Sequence, residues 1–385
     1  MRAIRPVESA YSAKPRLITR HSNERETLTT ERTQERTQTK TILVPFKTVS
    51  LVAASIFALA VTARANFDWE NLEGDIPGVA EITDSNVINP WGIAVSSSGT
   101  LFVADNGAGV ATAYFQNGTP APSFSNPLVI TIPPSASNVD GANPTGTVWN
   151  DTSVFKVSNG TNSLPAKLIF VSEDGMISGW NPNLNNTQAF RAVDNGASGA
   201  VYKGATLGVA NSQNYLYVTN FHSGHVETYN GSFVLQAGFP FTDPNLPAGY
   251  APFGIRDFSG QIFVTYAKIN PSNPNDDLAG AGFGFVDVFN TKGQFLRRLV
   301  SQGRLNAPWG LEIVNGALWV GNFGDGRINA YNPGTGSFVG TPRDVFGIPL
   351  EFDGLWGMVL TNGGLFFNAG IADEDHGMFG VIFSN

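Results

Sequence analysis

The chain contains no cysteine, which removes disulfide frameworks, thiolate metal sites and cysteine nucleophiles from consideration. Charge is also scarce, at 14% of residues. No apolar run reaches the ~20 residues that a membrane-spanning helix needs. Nor is there an amphipathic stretch of about twelve residues with helical periodicity, which excludes helical solenoids. A Gly-x-Ser-x-Gly nucleophile elbow is missing as well. What the chain has instead is glycine, 43 residues of it, together with 28 phenylalanines. Low charge with many glycines and aromatics suits short strands joined by tight turns.

The net charge of −8 is unevenly divided. Residues 1–65 hold 11 Lys/Arg and 5 Asp/Glu, leaving 12 basic and 26 acidic residues, about −14, for the rest. A body that acidic repels phosphate backbones, so nucleic acid is not an expected partner. At about 320 residues it buries roughly three quarters of its unfolded surface and forms a core without covalent staples. It is expected to be a monomer.

Residues 1–47 are polar and basic, with the near-repeat Glu31-Arg32-Thr33-Gln34 and Glu35-Arg36-Thr37-Gln38. They have no apolar periodicity and read as a disordered extension. Residues 48–65 bring the apolar run Val49–Val61 and then Ala63-Arg64-Ala65. A basic flank, an apolar run of about 13 residues and an A-x-A site describe a secretory signal cleaved after Ala65. The protein is therefore expected to be secreted, extracellular or periplasmic, with no transmembrane span in its mature form. Forty residues are long for a signal's basic region, so either it is extended or translation starts downstream, near Val44.

Residues 66–385 repeat one unit six times. Each unit has a turn, often Pro-x-Gly, then a short apolar strand, a second strand, an Asn/Asp/Gly turn and a third strand. The fifth is the clearest: Ala307-Pro308-Trp309-Gly310-Leu311, Leu318-Trp319-Val320-Gly321-Asn322, then Arg327-Ile328-Asn329-Ala330-Tyr331. Aligned glycines fall at 92, 146, 204, 254, 310 and 357. A period near 50 with three or four strands per unit is the signature of propeller blades. The spacing predicts an all-β, six-bladed β-propeller, with Phe67–Thr83 supplying an outer strand to the last blade.

Units of the form Pro-x-Gly-hydrophobic, Leu-[Phe/Tyr]-Val-x-[Asp/Asn] and Gly-x-[Ile/Val]-x-x-[Phe/Tyr] resemble NHL-type and TolB-like propellers. The strings Ser172-Glu173-Asp174-Gly175-Met176 and Gly321-Asn322-Phe323-Gly324-Asp325-Gly326 look like those of an uncharacterised family of exported bacterial proteins. The resemblance implies a fold and an export route, and no activity.

In an antiparallel blade the Pro-x-Gly loops and the second-to-third-strand loops share one edge. That face is expected to collect a ligand site from Trp91, Asp105, Glu173, Asn220, His222, Trp309, Asn322, Trp356 and His376. Aromatics with inward polar groups over a channel make a ligand site. The competing assignment gives each residue a packing or turn-capping job. Glu173 with Asp373, in the cluster Asp373-Glu374-Asp375-His376, could hold Ca²⁺ through oxygen ligands. The long loop Ala267–Gly282 reads as a lid or as decoration, with Asp276-Asp277 as a solvated tip. The expected function is a binding scaffold for a small molecule, glycan or protein. The alternative is a metal-dependent, lactonase-like hydrolase or lyase on the same face.

Overall fold

Every repeat folds as one antiparallel sheet, because each of its short apolar runs is bounded by turn residues that send the chain back. The computed structural model describes residues 66–138 and 140–384; the segments expected to be a disordered extension and a secretory signal lie outside them. Blade 1 comprises Pro90–Val95, Leu101–Asp105, Val110–Tyr114 and Val129–Thr131. Blade 2 comprises Pro144–Trp149, Leu168–Ser172, Met176–Trp180 and Phe190–Asp194. Blade 3 has three strands, Tyr202–Ala210, Gln213–Asn220 and His225–Asn230, the lower number that the repeat pattern allows. Blade 4 comprises Tyr250–Phe258, Gln261–Asn270, Gly284–Asn290 and Phe295–Ser301. Blade 5 comprises Pro308–Val314, Ala317–Asn322, Ile328–Tyr331 and Phe338–Gly340.

Blade 6 closes the ring. Leu355–Thr361, Gly364–Ala369 and Met378–Ser384 are followed outward by Asn66–Gly74, which pairs antiparallel with Met378–Ser384. The first strand of the body thus completes the last blade, as its position before the first Pro-x-Gly predicts, and Met378–Ser384 is paired on both sides. Among the described residues no helix is long and apolar enough to cross a membrane.

Second strands are buried on both faces, which is why they read as continuous apolar runs such as Leu101-Phe102-Val103-Ala104. Alternate side chains enter different interfaces. Leu101 and Val103 pack with Phe366 and Phe379 of blade 6, whereas Phe102 packs with Phe170 and Trp180 of blade 2. Six apolar clusters of this kind fill the spaces between neighbouring blades, and a seventh lies near the axis.

The six aligned glycines mark where innermost strands cross closest. A Cβ on Gly92 would fall within 3 Å of the Thr145 carbonyl, one on Gly254 within 3 Å of the Trp309 carbonyl, and one on Gly357 within 3 Å of the Trp91 carbonyl. Gly146, Gly204 and Gly310 meet the backbone of the next blade in the same way. Glycine stands here because another backbone passes where a side chain would be. In every blade the pairing register also shifts at this segment, a β-bulge that turns the carbonyl before or at the glycine out of the ladder. Several of those carbonyls are taken up by inward side chains: Thr219 Oγ1 donates to the Phe253 carbonyl at 2.7 Å and Asn368 Nδ2 to the Trp91 carbonyl at 3.0 Å. The residual channel has a volume of about 50 Å³. Arg256 lies across it, donating to the Met358 carbonyl at 3.1 Å and to Glu312 at 2.9 Å.

Gly254→Ala is expected to cost ~1–3 kcal/mol of unfolding free energy in urea titration, because the Trp309 backbone has to retreat. A second expectation concerns Glu73, fully buried in the closing strand with neither carboxylate oxygen hydrogen-bonded. Burial, with Asp84 adding to it, pushes its pKa up to about 8. A carboxyl whose folded pKa exceeds its unfolded one stabilises fully below the unfolded value, and that stability is lost as pH rises through the folded pKa. Glu73→Gln should therefore raise the melting temperature at pH 8 to 9, by the equivalent of about 1 kcal/mol or more, and leave it nearly unchanged at pH 4. Equal shifts at both pH values would contradict this.

Candidate functional site

The residue before each ring glycine is Trp91, Thr145, Lys203, Phe253, Trp309 or Trp356. Five of the six join one cluster on the Pro-x-Gly face. Trp91 and Trp356 stack with centroids 3.4 Å apart, Trp309 meets both edge-on at 6.0 Å, and Phe253 meets Trp356 edge-on at 5.8 Å. Phe323 stacks on the other face of Trp356 at 4.1 Å. Trp91 and Trp356 are 2% and 1% exposed, so these rings form a plug over the channel rather than an open stacking platform.

Lys203 sits inside the plug. It is 1% exposed, and its ammonium lies 5.0 Å from the centroid of Trp91 and 5.8 Å from those of Phe221 and Phe253. An ammonium over aromatic faces is stabilised by their quadrupoles, but a buried charge still needs a counter-ion. Glu173 supplies it at 2.5 Å. Burial pulls the Lys203 pKa down, but Glu173, Asp276 and Asp277 outweigh it, and the group stays above the ordinary lysine value.

Above the plug is a concavity of about 370 Å³, lined by Asn89, Trp91, Asn106, Asn143, Glu173, Val201, Asn273, Asn275, Asp276, Trp356 and Glu374. Its wall is a hydrogen-bonded chain. Trp356 Nε1 donates to Asn89 Oδ1 (3.1 Å), Asn89 Nδ2 to Glu374 (2.9 Å), and Asn106 Nδ2 to Glu173 (3.0 Å). Burial and the charges of Glu173 and Asp276 push Glu374 up to about 7 despite the Asn89 hydrogen bond. Burial, aided by Asp276 and Glu374 and opposed by Lys203, carries Asp277 to about 7 as well.

One side of the concavity comes from the long loop of blade 4. The strand Gln261–Asn270 runs past its blade and turns back into Asn273–Asp277. This hairpin holds Asn273, Asn275 and Asp276 at the concavity, and Asn275 Oδ1 bonds His222 Nδ1 at 2.8 Å. The solvated-tip expectation is corrected for Asp277, which is buried with Oδ2 unbonded; Asp276 is exposed as expected and stands at the concavity.

Of the residues expected to form a ligand site, Trp91, Glu173 and Trp356 line the concavity, and His222 stands beside it through Asn275. Trp309 packs in the plug and donates its indole N–H to the Lys203 carbonyl at 3.2 Å. The others have different work. Asp105 is fully buried, accepting from Thr112 at 2.8 Å, with its pKa pushed well up by burial. Asn220 accepts from the Val201 and Ser223 amides and donates to Glu227; Asn322 donates to the Arg304 carbonyl and to Asp325. His376 pairs with Asp75 at 2.7 Å, away from the concavity. The Ca²⁺ donor pair is not assembled either, since Asp373 is exposed and its neighbour Glu374 is the residue that lines the concavity. Among the described residues no three His, Asp or Glu side chains come together in a metal-sized group.

Lys203 was missed by motif reasoning, although the aligned repeats carry the signal. It is the only cation at a position otherwise filled by Trp, Phe or Thr. Lys203→Met should cost about 2–4 kcal/mol by stranding Glu173 beside Asp276 and Asp277, and adding Glu173→Gln should recover part of that loss. Additive losses in guanidinium titration would show that the pair is not coupled.

No protein-family model matches the chain. Among solved structures, similar chains include virginiamycin B lyase from Staphylococcus aureus (TM-score 0.44, 14% identity, 82% of this chain and 98% of that one). A putative gluconolactonase (0.49, 13%, 84% and 93%) and the PQQ-bound aldose sugar dehydrogenase of Streptomyces coelicolor (0.48, 13%, 83% and 99%) are also similar. Two uncharacterised proteins of Acanthamoeba polyphaga mimivirus match by sequence. One is 31% identical over 316 residues, covering 78% of this chain and 76% of its own, and the other 30% identical over 315 residues, covering 78% and 81%. The motif resemblance led to an expectation of exported bacterial relatives, and these two are viral. With that identity held across three quarters of each chain, the protein belongs to the family of these mimivirus proteins.

Proposed function

We propose that the protein is a binding propeller that holds a small polar ligand above the tryptophan plug, on the Pro-x-Gly face. The observation that carries the reading is the concavity of about 370 Å³, lined by carboxylates and carboxamides from several blades and from the blade 4 hairpin. Ligand sites in propeller-like folds are built this way, from loops converging on one face while the sheets below stay rigid. The secretory reading of residues 48–65 makes export part of the same proposal.

A hydrolase or lyase is the second reading, and one feature favours it. Glu374 and Asp277 both have pKa values near 7, the range in which a carboxyl can take or give a proton at physiological pH. On this reading Glu374, which lines the concavity, takes or gives the proton for a substrate lying over Trp91.

A panel of neutral sugars, polyols, amines and amino acids, followed by calorimetry and tryptophan fluorescence, should find one class that binds saturably. Asn106→Leu combined with Glu374→Leu should abolish that binding with the melting temperature within a few degrees of the parent. Retained binding in this double variant removes the site assignment. Turnover of a bound compound, with a rate that follows an ionisation near pH 7 and is lost in Glu374→Gln, would decide for the enzyme.

A further inference from the structure

The aromatic rings at the concavity have no face to offer. Trp91 stacks on Trp356 and carries the Lys203 ammonium over its ring, and Trp356 is stacked between Trp91 and Phe323. A flat aromatic ligand therefore finds nothing to stack on. An anionic one meets the carboxylates of Asp276 and Glu374, which repel it. What can recognise an occupant here is hydrogen bonding.

Donors and acceptors are both left over. Asn275 uses its side-chain oxygen on His222, and Asn273 uses its own on the Asn275 amide. The carboxamide N–H groups of both remain to donate. Asn143 also lines the concavity, and its carboxamide enters no hydrogen bond among the described residues. Trp91 adds an independent sign of a missing acceptor. It belongs to the same lining, is 2% exposed, and its indole N–H has no partner. A buried donor without an acceptor is costly and uncommon in a finished structure. On the accepting side, Asn89 takes one oxygen of Glu374 and the Asp277 amide one oxygen of Asp276. The second oxygen of each is left.

This mixture selects a chemical class. An ammonium group only donates and a carboxylate only accepts, so either would leave half of the lining unmatched. An amide does both, but from opposite sides of a rigid plane. A hydroxyl donates and accepts through one rotatable atom, and several hydroxyls on one carbon skeleton meet several such groups at once. The volume of about 370 Å³ lies near the small end of the ~300–1,000 Å³ range of ligand pockets. Resting on the reading of this concavity as a ligand site, we propose that it takes a neutral polyhydroxylated compound, a sugar or sugar alcohol of monosaccharide size. Its hydroxyls donate to Glu374 and Asp276 and accept from Asn143, Asn273 and Asn275.

The test is calorimetry of the purified protein with glucose, galactose, mannose, xylose, erythritol and mannitol, alongside putrescine, glycine and N-acetylglycinamide. At least one sugar or alditol should bind near one to one, with an affinity that does not change between about 0.05 and 0.5 M salt, as a neutral ligand requires. Asn143→Leu and Asn273→Ala should each weaken it about tenfold. Asn273 is an exposed hairpin residue, so its variant stays folded even if the other does not. Sugar binding unchanged in both variants would place the sugar elsewhere and overturn the proposal. Binding of putrescine, glycine or the amide, with no sugar or alditol bound, would overturn the polyhydroxylated ligand and leave the ligand site standing. Silence from every probe would overturn it and count against the ligand-site reading too.

Discussion

The structure depends on six backbone-to-backbone contacts around its axis. At each, a glycine of one innermost strand lets the next blade's backbone pass where a Cβ would be. Close approach fixes the inclination of each blade on its neighbour, and therefore how the apolar faces between blades meet. It also narrows the channel to a volume of about 50 Å³, too small for the passage or large ligand cavity that wider rings allow. The bulge that accompanies each glycine frees carbonyls that threonines and Asn368 take up from within. The sheet irregularity and the polar side chains near the axis are thus two consequences of one requirement.

The same contacts determine what the upper face can be. Residues just before the glycines are brought together, and where these are Trp or Phe, as at Trp91, Phe253, Trp309 and Trp356, they fill the mouth of the channel with packed rings. Open space is thereby displaced from the hole to the concavity above the plug, where residues of blades 1, 2, 3, 4 and 6 meet. A lysine in that ring of positions imports a charge into an apolar cluster. It is tolerated because aromatic faces and Glu173 compensate it. The acidic groups around it then acquire a shared electrostatic character that none would have alone.

The architecture was largely legible in the sequence, and the site was legible only in part. Six glycines at a period near 50, and one strand to spare before the first, announce the ring and its closure, because close backbone approach tolerates one residue type only. Nothing comparable singles out the lining residues. Asn89 and Asn106 line the concavity while Asn220 and Asn322 tie turns together, and all four sit beside similar apolar strands in sequence. Asparagine suits both roles, and the choice is made by which way a loop leans. Trp91 and Trp356 were correctly placed on the face, but their mutual stacking follows from tertiary convergence that strand patterning does not encode. Asp276 was read as a solvated tip because a turn rich in Asn, Pro and Asp gives no hint that its strand folds back on Gln261–Asn270 and stands at the concavity. Glu374 was passed over in favour of Asp373 for a related reason, since adjacent acidic residues in a turn point apart.

The closing strand has a consequence for how the chain is made. Phe67 pairs with the backbone of Ser384, and Trp69 with Ile382, partners that leave the ribosome about 300 residues later. At ordinary translation rates of ~5–20 residues per second the strand waits tens of seconds with its ladder groups unmatched. The intervening blades can stack on one another as they emerge, but the circle stays open, and its two unfinished edges remain exposed until Met378–Ser384 arrives. Closure is then a contact of very high sequence separation, slow to form, and the strand that waits is the segment most available to chaperones or to the unclosed edge of another nascent copy.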